Sequence, residues 1–151
     1  AGRAEQVATA ELLNNTAGLN AYINNFGGRI HDSLQILRDG LWAMRDEGLP
    51  VDALDASGAI YLSAKFDIIG KYPGIECAED LRSFLLHEAG VAIVPFTAFG
   101  AAESGWVRFS VGAAGRDDLF EALQRIRSAL VRTSTSREKP LRRVAKTTPI
   151  P

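Results

Sequence analysis

An α+β domain with a small, largely antiparallel sheet covered by helices is the fold class that this sequence of 151 residues predicts. Three patterns carry that prediction. Ile30, Leu34, Leu37, Leu41 and Met44 recur at alternating spacings of four and three, the mark of an amphipathic helix. Residues 59–66 and 106–111 alternate apolar and polar side chains at the period of half-buried strands. A second apolar stripe, Leu119, Leu123, Ile126 and Leu130, marks a closing helix.

Taken in chain order, residues 4–25 are rich in Ala, Leu, Asn and Glu with few breakers and read as helix. Gly27–Gly28 predict a kink or short break before the striped second helix, which stops at Gly48 with Pro50 just beyond. In Ala59–Phe66, Ile60, Leu62, Ala64 and Phe66 alternate with Tyr61, Ser63 and Lys65, so a half-buried strand is expected. The Gly70–Gly74 loop leads into a helix over about 78–89, with Leu81, Phe84 and Leu85 on its buried face and Gly90 at its end. Val91–Val94 is a continuous apolar run closed by Pro95, which predicts a fully covered strand. After a loop holding Phe96, Phe99 and Gly100 comes the strand Trp106–Val111, then a helix over about 116–131 whose first turn carries Asp117 and Asp118. Helices and strands alternating in this order suit one sheet with helices on one face.

Apolar residues make up 46% of the chain and charged residues 23%, the balance of a globular domain with a core of ordinary size. No apolar run reaches the roughly 20 residues that span a bilayer, and no signal-peptide pattern opens the chain. A lone Cys77 excludes an internal disulfide and suits a reducing compartment, so a cytoplasmic location is expected. The only methionine is Met44, and the chain starts abruptly in helical sequence, so an N-terminal partner outside it is expected. The net charge of −1 hides an asymmetry: residues 132–151 carry six basic side chains and one acidic. This tail lacks aromatics for base stacking and an apolar face for a membrane. It is expected to be a disordered extension that binds neither nucleic acid nor membrane.

Few side chains stand out as carriers of chemistry. On the 106–111 strand Val107, Phe109 and Val111 point one way, while Trp106, Arg108 and Ser110 point the other. Arg108 therefore stands on the less apolar face, after a loop with Gly100 and Gly105, where its planar fork could grip a carboxylate through two bonds or simply be solvated. His31 and His87 lie on different helices without ligand partners one turn away, and with Cys77 alone no metal site is expected. Cys77 reads as a helix-flanking or core residue. The Ser136–Lys139 stretch matches a Ser-x-x-Lys pattern by chance, since the basic tail offers it no scaffold.

The ordered set Gly90-Val-Ala-Ile-Val-Pro95, Phe99-Gly100, Gly105-Trp-Val-Arg-Phe-Ser110 and a closing amphipathic helix resembles the C-terminal small domain of class I/II, fold-type I, pyridoxal-phosphate-dependent aminotransferases. Ser57-Gly-Ala-Ile-Tyr-Leu62 is similar to that family's strand before the 78–89 helix, and Glu5-Gln-Val-Ala-Thr-Ala10 to the helix leading out of its large domain. Phe96 departs from the glycine that often follows the proline matching Pro95. The resemblance implies a small domain over residues 1–131, with 1–25 leading in from a missing large domain, and it implies that Arg108 binds the substrate α-carboxylate. It also implies that the complete enzyme moves an amino group between an amino acid and a 2-oxo acid, as a homodimer holding pyridoxal phosphate as electron sink. The family's Schiff-base lysine lies upstream of the matched region, and neither Lys65 nor Lys71 is its equivalent. No catalytic or cofactor-binding residue is therefore expected in this chain, which should neither bind the cofactor nor turn over alone. The competing expectation is a non-catalytic binding or regulatory module on the same fold.

Overall fold

Helix α1 (Arg3–Asn14) and helix α2 (Thr16–Asp46) are separated by a single residue, Asn15, in the computed structural model, which describes residues 2–56, 58–102 and 104–136. The break therefore falls at Asn15 and not at Gly27–Gly28, through which α2 runs without interruption. Asn15 leaves helical geometry and its side-chain oxygen accepts a bond from the Gly18 N–H, starting a new helix as Asn does well. Two adjacent glycines lower helix propensity by about 1 kcal/mol each, a cost that a 31-residue helix anchored by a buried stripe absorbs.

That stripe is the one the spacing marks: Ile30, Leu34, Leu37, Leu41 and Met44 are all buried. They pack on one face of a four-stranded sheet whose order is β1-β2-β4-β3, with every neighbouring pair antiparallel. The strands are β1 (Val51–Ala53), β2 (Tyr61–Phe66), β3 (Val94–Pro95) and β4 (Trp106–Ser110). Leu62, Ala64 and Phe66 of β2 and Val107 and Phe109 of β4 fill the inner face. Helices α3 (Ala78–Ala89) and α4 (Arg116–Ser136) complete the core through Leu81 and Leu85, and through Leu119, Leu123, Ile126 and Leu130. The fold is thus α+β, with a small open antiparallel sheet.

Four details depart from the sequence pattern. Strand β1 is too short to show periodicity, and tertiary contacts make it. The Trp42 indole N–H donates to the Ala53 carbonyl at 2.8 Å, and Arg38 and Arg45, stacked on that indole at 4.6 and 5.5 Å, pair with Asp55 and Asp52. The apolar run 91–94 is not a covered strand: only Val94 and Pro95 pair with β4, at the sheet edge, and Ala92 is exposed. Pro95 has no N–H to give a second neighbour, which confines it to an edge. Phe84 is half-buried, and Ala78 and Ala89 join Leu81 and Leu85 on the inner face of α3. Helix α4 also runs five residues past its expected end; the rest of the basic tail, residues 137–151, lies outside the described residues.

Packing between α2 and α4 is close at Gly40, where a Cβ would stand 2.4 Å from Leu123 Cδ1. The start of α3 is held electrostatically. Asp80 accepts the Glu76 and Cys77 N–H groups at 3.0 and 3.2 Å and the Cys77 thiol at 3.3 Å, and those bonds, Glu76 first, hold its carboxyl below the usual range. Asp67 beside Lys71 and Glu79 beside Arg82 are lowered in the same sense. A carboxyl whose folded pKa is depressed adds stability above its unfolded pKa and loses it as pH falls through the folded value. Unfolding measured against pH should therefore show stability falling below about pH 4. Asp80→Asn should lower Tm at neutral pH and flatten that acid slope; an unchanged slope would remove Asp80 from the account.

Candidate carboxylate-binding site

The open face of the sheet is where period-two alternation becomes chemistry. In the β2–β4 ladder Tyr61 faces Ser110, Ser63 faces Arg108 and Lys65 faces Trp106, while Leu62–Phe109 and Ala64–Val107 are the inward pairs. Arg108 is also in register with Val94 on its other side, so it stands near the middle of the open face on an interior strand. Its side chain is half-buried. The guanidinium carbon lies 4.2 Å from the centre of the Tyr61 ring and 4.5 Å from that of Phe99. Both contacts bring the cation over a ring face, where the ring quadrupole attracts it.

The aromatic set extends beyond Arg108. Pro95 leads into a 3-10 turn, Phe96–Phe99, closed by Gly100. Phe96 meets Phe99 edge-on at 6.3 Å and lies tilted against Trp106 at 6.3 Å. A continuous band of rings thus flanks Arg108 on the β3 side, with Tyr61 alone on the β2 side. Among the described residues no carboxylate forms an ion pair with Arg108. Stacking uses the face of a guanidinium and leaves its in-plane N–H fork for a planar anion.

Of the residues weighed from sequence, Arg108 alone gains partners that bear on ligand chemistry. His31 and His87 are exposed on α2 and α3, with Gln35 the neighbour of the His31 ring at 3.4 Å. Cys77 is the residue before α3 and donates to Asp80. Ser136 ends α4, and the remainder of the Ser-x-x-Lys match lies outside the described residues. Tyr61 and Phe99 were not singled out from sequence. Tyr61 carried a usable signal, since alternation puts it on the face of Arg108, but Phe99 sits in a non-repetitive turn, and its place in the Phe99-Gly100 motif assigned it no role beside Arg108. Two clefts of about 430 and 510 Å³ flank Phe26, and Arg108 lines neither.

The fold and the sequence pattern together define a family. The chain belongs to the class I and II aminotransferases, whose family model matches residues 3–126. Among solved structures it is similar to the aspartate aminotransferase from Rhizobium meliloti, at 30% identity and a TM-score of 0.58 over 68% of this chain and 25% of that one. It is similar also to the aromatic aminotransferase from Pyrococcus horikoshii OT3, at 27% identity and a TM-score of 0.70 over 85% of this chain and 31% of that one. The PLP-bound C-S lyase from Staphylococcus hominis shares the fold, at 19% identity and a TM-score of 0.62 over 74% of this chain and 28% of that one. The chain spans about a quarter to a third of the length of these structures. No curated protein matches it.

Enzymes of this family work with pyridoxal phosphate, so the described residues can be tested for a fit to that group. Lys71 is tied to Asp67 in an ion pair, and Asp67 also feels the charge of Lys65. Lys65 borders a hollow of about 230 Å³, together with Asp67 and Gly105. A lysine that condenses with an aldehyde must reach it with a free amine, and the ion pair with Asp67 already engages that of Lys71. The described residues do not fit the cofactor.

Gly105 fixes the backbone just before β4. Its φ is +70°, and a Cβ there would lie 2.3 Å from the Phe66 carbonyl oxygen, while its own carbonyl accepts the Phe66 N–H at 3.0 Å. Gly100 also has a positive φ, +85°, but open space around it. Gly105→Ala should destabilise the domain by more than about 1 kcal/mol and by more than Gly100→Ala does. Thermal unfolding of the two variants checks this; equal losses would mean that the close approach to Phe66 does not matter.

Proposed function

We propose that this chain is the C-terminal small-domain part of a pyridoxal-phosphate-dependent aminotransferase that moves an amino group between an amino acid and a 2-oxo acid. Arg108 is its grip on the substrate α-carboxylate. The observation that carries this reading is the state of Arg108: stacked on two rings, half-buried, and unpaired with any acid among the described residues. Family membership supports the reaction class. Two-point binding of a planar carboxylate fixes its orientation as well as its position, and orientation lowers the barrier for removing a proton from the adjacent carbon.

The cofactor and the lysine that holds it belong, in this reading, to the part of the enzyme outside the chain. The N-terminal helices support that division. Helix α1 buries none of its residues, and Val7, Leu12, Leu13, Tyr22 and Ile23 are exposed along α1 and the first turns of α2. An apolar set of this kind suits a lead-in from a larger domain. Closure of the small domain then carries Arg108 to the substrate and excludes water from the cleft. A homodimeric, cytoplasmic enzyme is the setting proposed. No helix among the described residues is long and apolar enough to cross a membrane.

In the complete enzyme, Arg108→Lys replaces a planar fork by a point charge. KM for amino acid and 2-oxo acid should rise roughly 10- to 100-fold. Steady-state kinetics with both substrates check this. An unchanged KM would remove Arg108 from the carboxylate.

A further inference from the structure

We infer that Tyr61 and Phe99 are positioning residues that hold the Arg108 guanidinium in the attitude from which it takes a carboxylate; this rests on the reading of Arg108 given above. An arginine side chain has several rotatable bonds, and fixing them at the moment of binding costs affinity. On the open face no carboxylate among the described residues fixes Arg108. Two rings occupy that role, from opposite sides of β4. Tyr61 reaches it diagonally from β2, since its own partner in register is Ser110. Phe99 reaches it from the turn that follows β3.

The two contacts are alike in distance, 4.2 and 4.5 Å, and a ring face takes the cation without consuming its N–H donors. An acidic neighbour would hold the arginine as firmly but would occupy the fork that the substrate needs. The clamp is itself braced on one side only. Phe96 packs edge-on against Phe99 and is backed by Trp106, whereas the Tyr61 ring is 40% exposed. Phe99 is also substantially exposed, at 56%. Neither ring belongs to the buried core, so a structural role in folding does not account for their placement, and leucine at either position leaves the core intact.

The test uses the complete enzyme, with Tyr61→Leu, Phe99→Leu, Tyr61→Phe and Arg108→Lys assayed by steady-state kinetics against amino acid and 2-oxo acid. Each leucine variant should raise KM about 3- to 10-fold with a smaller change in kcat, and Tyr61→Phe, which keeps the ring face, should restore what Tyr61→Leu loses. On the Arg108→Lys background Tyr61→Leu should add less than it does alone, because the planar cation it serves is gone; two fully additive losses would contradict the clamp. Leucine variants that leave KM unchanged, or a Tyr61→Phe that fails to restore it, would overturn the inference while an elevated KM in Arg108→Lys keeps the carboxylate assignment standing. If Arg108→Lys itself leaves KM unchanged, the carboxylate assignment fails, and the clamp with it.

Discussion

Five residues of β2 lie opposite five of β4, Tyr61–Lys65 against Trp106–Ser110, and that ladder holds the site and the core in one register. Side chains in a strand alternate faces, so a slip of one residue would turn Arg108 toward the buried core beside Leu62 and bring Val107 and Phe109 into water. Placing a guanidinium among apolar side chains without a partner is far costlier than any gain from the slipped pairing. Burial of Leu62, Ala64, Val107 and Phe109 therefore does two things at once. It stabilises the sheet against α2 and α4, and it fixes which side chains reach the open face. Gly105, caught against the Phe66 carbonyl, pins the end of the same ladder.

The inward half of this arrangement was legible in the sequence because burial writes a period. The 3.6-residue stripe of α2 marked all five of its buried residues, and alternation over 106–111 assigned Arg108 to the correct face. Elements that depend on contacts made across the fold were not legible. Strand β1 exists because Trp42, Arg38 and Arg45 hold it, and three residues cannot show a period. The helix break at Asn15 depends on one capping bond, whereas the two glycines further on drew attention by identity alone. Tyr61 and Phe99 are 38 residues apart and meet only around Arg108. Residue types could raise Arg108 as a candidate, but its partners had to come from the fold.

The proposed function puts a substrate grip on a small open sheet and the cofactor outside the chain, a division of labour with a physical logic. Of the two lysines among the described residues, Lys71 is held in an ion pair with Asp67 and Lys65 lies near the same carboxylate. Arg108 is stacked on two rings and keeps its planar fork of N–H donors for a ligand. An open face suits a group that must approach a ligand bound to another domain, and stacked rings keep the approaching cation ordered without an acid to compete for it. The exposed apolar residues of α1 and the start of α2 supply the other requirement, a surface on which the rest of an enzyme could rest.

Arg108, stacked on Tyr61 and Phe99, is proposed to take the α-carboxylate in a two-point grip. A crystal structure of the complete enzyme with a 2-oxo acid bound tests it most directly. Both carboxylate oxygens should lie within about 2.7–2.9 Å of Arg108 nitrogens, with the Tyr61 and Phe99 rings still against the guanidinium. A carboxylate held by other residues, with Arg108 turned to solvent, would contradict it.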